Sequence, residues 1–165
     1  MRVLIAEDDR TSRMMISRML APYADCTVVV NGDEALSLFR TAIELNRPYD
    51  LICLDVLMPE MDGLTALTRM RALENDLEIK EPDRARVIMT TGLSDLESVK
   101  RAIRGHCQGY LLKPIDQLAL LEKLKSLGLI SSSQPPESED AGSAPIQDSA
   151  VAAGAGTDAA KMGDH

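Results

Sequence analysis

Along the first 130 residues, short unbroken apolar runs alternate with stretches in which apolar side chains return every three or four positions. The runs at 2–6, 26–30, 50–54, 86–90 and 109–112 have the length and continuity of strands buried on both faces of a parallel sheet. The intervening stretches predict helices. Residues 10–20 place Met15, Ile16, Met19 and Leu20 on one side, and residues 33–45, after Asn31-Gly32, place Ala35, Leu38, Phe39 and Ala42 at helical spacing. Residues 64–73 follow an Asp62-Gly63 turn. Residues 95–104 have Ser94 as a cap, with Leu96, Val99 and Ile103 inward, and residues 116–127 have Asp116 as a cap, with Leu118, Leu121 and Leu124 inward. Five strand–helix units in succession predict an α/β domain with right-handed crossovers.

Two segments break the rhythm. Residues 74–85 are longer and more polar than the other connections, and are expected to form a solvated insertion on the face away from the strands' carboxyl ends. After Ile130 the chain turns to Ala, Gly, Ser and Pro with scattered acids. Such a composition buries too little apolar surface to offset the entropy of ordering, so a folded domain over 1–130 and a disordered acidic tail over 131–165 are expected. Charge follows the same division. Residues 1–130 carry 17 Lys and Arg against 20 Asp and Glu, and the tail carries one Lys against six acids. A nearly balanced domain with an acidic tail argues against nucleic-acid binding through a strong positive field. Cys26, Cys53 and Cys107 are too few and too scattered for a disulfide framework or a zinc site, and Cys53 falls inside a strand run as core. No apolar run is long enough to span a bilayer and no leader pattern precedes the first strand, so a soluble cytoplasmic protein without membrane insertion is expected.

Chemistry-bearing residues gather where the strand runs end. Glu7-Asp8-Asp9 follows the first run, Asp55 the third, Thr90-Thr91 closes the fourth and Lys113 follows the fifth. In an open parallel sheet that edge is where ligands bind. Carboxylates converging on one crevice repel each other, and a hard divalent cation such as Mg2+ relieves that repulsion while keeping room for water and phosphate oxygens. The set points to phosphoryl chemistry, with Asp55 as nucleophile forming an acyl phosphate, Glu7 and Asp8 around the metal, Lys113 countering phosphate charge and Thr91 bonding a phosphoryl oxygen. Asp9 reads as a helix-start charge. His106 reads as structural or exposed, and Met14, Met15 and Met19 as adaptable packing on the first helix.

Taken in order, Glu7-Asp8, the segment Leu54-Asp55-Val56-Leu57-Met58-Pro59-Glu60-Met61-Asp62-Gly63, Thr91, and Tyr110-Leu111-Leu112-Lys113-Pro114 resemble the receiver domain of two-component response regulators, over nearly all of 1–130. The resemblance implies a flavodoxin-like, doubly wound five-stranded parallel sheet in the order 2-1-3-4-5. It implies that Asp55 takes a phosphoryl group from a sensor histidine kinase or histidine phosphotransfer protein. Asp8, Asp55 and the backbone carbonyl of Leu57 would bind Mg2+ directly, and Glu7 through water. Thr91 and Tyr110 would form the switch, the Lys113-Pro114 bond would be cis, and Leu57 and Leu93 would flank the path of the water that ends the phosphate's lifetime. Glu7 departs from the commoner aspartate, and Gly92 from the alanine often found after the threonine.

A stand-alone signalling module, catalysing only its own phosphorylation and dephosphorylation, follows as the leading expectation. Its downstream target stays open, and chemotaxis is one of several pathways open to it. A phosphorelay carrier is the alternative. An Mg2+-dependent phosphohydrolase is disfavoured because such enzymes usually place an acid two residues after the nucleophile, where this chain has Leu57.

Overall fold

The computed structural model describes residues 1–92, 100 and 106–131. Five parallel strands, β1 (Arg2–Ala6), β2 (Asp25–Val29), β3 (Leu51–Asp55), β4 (Arg86–Thr91) and β5 (Gly109–Leu112), form one sheet in the order β2-β1-β3-β4-β5. The described helices are α1 (Arg10–Leu20), α2 (Gly32–Glu44), α3 (Gly63–Asp76) and α4 (Gln117–Ser126). The expected helix over 95–104 and the tail lie outside the described residues, apart from Lys100 and Ser131.

The unbroken apolar runs have a simple cause. Successive strand residues face opposite sides of the sheet, and both sides are covered. Leu4, Ala6, Ile52, Leu54, Val87 and Met89 pack with Phe39 of α2 and Leu67 and Met70 of α3. Val3, Ile5, Leu51, Cys53, Ile88 and Leu111 pack on the other side with Ile16 and Leu20 of α1 and Leu120 and Leu124 of α4. Burial pushes the Cys53 thiol up to about 12, so it is inert core, and all three cysteines are free.

Strand order also positions the site. From β1 the chain crosses outward to β2, whereas from β3 it crosses the opposite way to β4. The loops leaving β1 and β3 therefore diverge and open a crevice between their carboxyl ends, the switch point of a doubly wound sheet.

Several expectations need correction. Leu118 does not face inward: it is 70% exposed, and Leu120 and Leu124 hold α4 to the sheet. Met14 and Met15 are exposed on α1 rather than packed. Helix α3 runs to Asp76, three residues beyond the expected 64–73, because Glu74 is not a solvated loop residue. It is fully buried against Arg71, and its Oε1 accepts the Ala85 N–H. Residues 74–85 thus begin and end in the core. Asp55 is the last residue of β3 and buried, rather than part of the loop that follows.

Candidate functional site

Each acidic residue in the crevice is fixed by the element behind it. Glu7 continues β1, its N–H donating to the Val29 carbonyl at 3.1 Å. Asp9 caps α1 through a 2.7 Å hydrogen bond from the Ser12 N–H, which holds its carboxyl below the usual range and bears out the helix-start reading. Arg13 reaches back one turn to donate to the carbonyls of Glu7 and Asp8 at 2.8 and 3.2 Å. The acidic turn is thereby clamped to the start of α1, leaving Asp8 exposed and Glu7 fully buried.

On the other side of the crevice, Asp55 is set by the return of the chain into α3. The Gly63 N–H donates to the Val56 carbonyl at 3.0 Å, and Asp62 caps α3 through the Thr65 N–H at 2.7 Å. A Cβ on Gly63 would lie 2.0 Å from the Asp55 carbonyl oxygen. Only glycine permits this approach, which gives the Asp62-Gly63 turn its physical reason. A second brace was not foreseen from sequence: Asn31, the cap of α2, donates from Nδ2 to Glu60 Oε2 at 2.9 Å, tying the β2–α2 turn to the loop after Asp55. Glu60 sits at a left-handed φ of 66°, and nothing local in the sequence announces the pairing.

The carboxylates of Glu7, Asp8 and Asp55 offer oxygens that all lie within 4.8 Å of one another. Lys113 reaches in from the end of β5, its Nζ 2.9 Å from Asp55 Oδ2 and 3.0 Å from Glu7 Oε1. Burial raises the pKa of Glu7, and the Asp55 charge adds to that against the pull of Lys113. Burial opposes the Lys113 ammonium, but its hydrogen bonds to Glu7 and Asp55 prevail and raise its pKa. Burial leads at Glu7 and the neighbouring carboxylates together prevail at Lys113, and with Glu7, Asp8 and Asp55 gathered around one ammonium the site carries more negative than positive charge. Glu7 Oε2 is 2.7 Å from Lys113 Nζ yet receives no well-directed hydrogen bond among the described residues. Hard oxygens only, surplus negative charge and an under-satisfied buried carboxylate oxygen suit a divalent cation of the Mg2+ type.

The remaining candidates lie around this centre. Thr91 ends β4 buried, with its hydroxyl donating to the Gly92 carbonyl at 3.3 Å rather than to Asp55. The Lys113-Pro114 bond is cis. Tyr110 is half-buried, with Lys100 Nζ 5.7 Å from its ring centroid. Leu57 is 62% exposed beside the crevice, and Leu93 lies outside the described residues. His106 is exposed.

Comparison with known proteins agrees with this geometry. Residues 3–125 match the family model of the response regulator receiver domain. The chemotaxis protein CheY of Bacillus subtilis is 32% identical over 129 residues, covering 74% of this chain and 93% of that protein. Among solved structures, the receiver domain of the Francisella response regulator 1452 superposes with a TM-score of 0.62 at 28% identity, covering 76% of this chain and 94% of that one. The fold also matches the co-crystal structure of the Saccharomyces cerevisiae histidine phosphotransfer signaling protein Ypd1 with the receiver domain of Ssk1. There the TM-score is 0.65 at 23% identity, with 78% of this chain and 88% of that one covered.

Proposed function

This chain belongs to the response regulator receiver domain family of two-component signalling, and we propose that it accepts a phosphoryl group on Asp55 and signals through the resulting change in its partner-binding face. The observation that carries this reading is the convergence of Glu7, Asp8 and Asp55 within 4.8 Å, with Lys113 at 2.9 Å from the Asp55 carboxylate. Asp55 forms the new P–O bond as the bond from phosphorus to the donor breaks, the electron pair leaving with the donor's imidazole nitrogen or acyl oxygen. Lys113 is placed to follow the negative charge from carboxylate to phosphoryl oxygens. Asp8, Asp55 and the Leu57 carbonyl would hold Mg2+, with Glu7 acting through water. When bound, the cation screens the negative charges of nucleophile and phosphoryl group from each other. A histidine kinase or histidine phosphotransfer protein is the donor we assign, in keeping with the Ypd1–Ssk1 co-crystal of a fold neighbour. Among the described residues no helix is long and apolar enough to cross a membrane.

Phosphorylation is proposed to draw the Thr91 hydroxyl from the Gly92 carbonyl toward the phosphoryl group, with Tyr110 turning inward. This is a population shift biased by charge-assisted hydrogen bonds. The test of the whole reading is Mg2+-dependent labelling by acetyl phosphate, read by intact mass. A folded protein that takes no label under any donor would sink it.

The metal can be tested without turnover. Asp8→Ala is expected to weaken Mg2+ binding by more than about tenfold, the scale on which even supporting residues of metal sites act. Asp8 is exposed, so the fold should survive the change. An unaltered Mg2+ titration, followed by amide shifts, would count against the site. A second test concerns phosphate lifetime. Leu57 is apolar and exposed beside the nucleophile, so its side chain offers nothing to orient an attacking water. Leu57→Asn is expected to shorten the lifetime about tenfold, equivalent to ~1.4 kcal/mol and roughly one good hydrogen bond. An unchanged decay rate would place the control of lifetime elsewhere.

A further inference from the structure

Thr90 carries a buried hydroxyl with no partner among the described residues, although it is only 2% exposed. Buried hydroxyls are nearly always bonded, so an orphan needs an explanation. Its place in the sheet supplies one. Thr90 is registered directly opposite Asp55 in the β3–β4 ladder. Residues 51, 53 and 55 of β3 alternate to one face of the sheet, as do 88 and 90 of β4, 111 of β5, 3 and 5 of β1, and Glu7, which continues β1 by donating its N–H to the Val29 carbonyl. The side chains of Leu51, Cys53, Ile88, Leu111, Val3 and Ile5 pack together on that face. Thr90 therefore shares the face of Asp55 and Glu7.

Lys113 follows β5, yet its ammonium bonds Asp55 at the end of β3 and Glu7 beyond β1. Strand β4 lies between β5 and β3. At a strand spacing of about 4.8 Å, the lysine must cross β4 near its carboxyl end to reach Asp55. Thr90 is the residue of β4 that faces that crossing. Its neighbour Thr91 has the opposite parity, shared with Met89 on the face where Tyr110 packs, and Thr91 already donates to Gly92.

We propose that Thr90 is a positioning residue of the phosphoryl-accepting site. A rotation about χ1 exchanges its hydroxyl and methyl at little change in packed volume. It brings the hydroxyl to the Lys113–Asp55 pair, where it donates to the Asp55 carboxyl group and accepts from the Lys113 ammonium. In the resting site Lys113 is engaged by two carboxylates and the hydroxyl stays idle. Once Lys113 is drawn to an incoming phosphoryl group, Thr90 keeps Asp55 in place for attack. The inference rests on the proposed phosphorylation of Asp55 and adds a group that holds the nucleophile from below.

The test compares Thr90→Val with Thr90→Ser, measuring Asp55 labelling by acetyl phosphate with Mg2+ and the melting temperature of each. Thr90→Val keeps the shape and removes the hydroxyl. It is expected to melt no lower than the parent, since an orphaned hydroxyl is lost, yet to label about tenfold more slowly. Thr90→Ser keeps the hydroxyl and is expected to label within about twofold of the parent. Labelling of Thr90→Val at the parent rate overturns the inference while leaving Asp55 as acceptor. Equal slowing in both variants with a matching fall in melting temperature also overturns it, because loss of packing then explains the rate. A parent protein that takes no label removes the underlying reading, and this inference with it.

Discussion

Asp55→Asn is expected to abolish labelling by acetyl phosphate or a phosphorylated histidine partner while leaving the protein folded. The carboxylate closes β3 in a buried position, and its Oδ2 meets Lys113 at 2.9 Å. An amide of the same shape keeps the volume but is a far poorer nucleophile than a carboxylate, and it removes one anionic oxygen from the cation site. Lys113 retains its contacts with Glu7, so no charge is left stranded and stability should change little. With Asp55 neutral, one cause of the raised Glu7 pKa also disappears. Label on the mutant at the parent rate would move the acceptor to another carboxylate, Asp8 or Glu7 first.

The features that sequence made legible are those with a local cause. Strands buried in the sheet leave unbroken apolar runs, and the ends of all five were placed to within one residue. Helix starts were readable wherever an Asp or Asn side chain accepts a backbone N–H, as at Asn31, Asp62 and Asp116. The errors share a different origin. Leu118, Leu121 and Leu124 look like one stripe, but at about 100° per residue Leu118 and Leu124 stand roughly 120° apart. Leu120 and Leu124, only about 40° apart, are the pair that packs.

The acid site was legible as a set of residue types at strand ends, and its assembly was not. Glu7 and Lys113 are 106 residues apart, and their hydrogen bond depends on strand order, which no local pattern encodes. The same holds for Asn31 with Glu60, and for Thr90, whose idle hydroxyl becomes visible only once β4 is known to lie beneath Lys113. Polarity was also misleading at Glu74. A Glu opening a polar connection reads as solvated, and only the packed structure shows the cation that lets it be buried.

That pair of Glu74 and Arg71 gives a large expected stability effect. Arg71 and Glu74 lie on α3 with side chains 8% and 2% exposed, joined at 2.6 Å. The guanidinium also donates to the carbonyls of His106 and Ala85 at 2.8 and 3.0 Å and to Gln108 Oε1 at 3.3 Å. Gln108 in turn accepts the Val87 N–H at 2.7 Å. One side chain thus ties α3 to the entries of β4 and β5. Arg71→Met keeps the apolar stem but leaves the buried Glu74 carboxylate to the Ala85 N–H and a 3.9 Å approach of Arg84, and takes the donor from two backbone carbonyls. Removing one partner of such a pair typically costs about 3–5 kcal/mol. Urea unfolding of Arg71→Met is expected to show a loss on that scale. The double change Arg71→Met with Glu74→Met should cost less than the sum of the single changes, because the stranded charge is gone. The network lies at the amino ends of the strands and Asp55 at the carboxyl end, so the folded fraction of Arg71→Met should still take label at the parent rate. A single-mutant loss below about 1 kcal/mol would show that water or a neighbouring cation already satisfies Glu74, and that the pair adds nothing beyond an exposed ion pair.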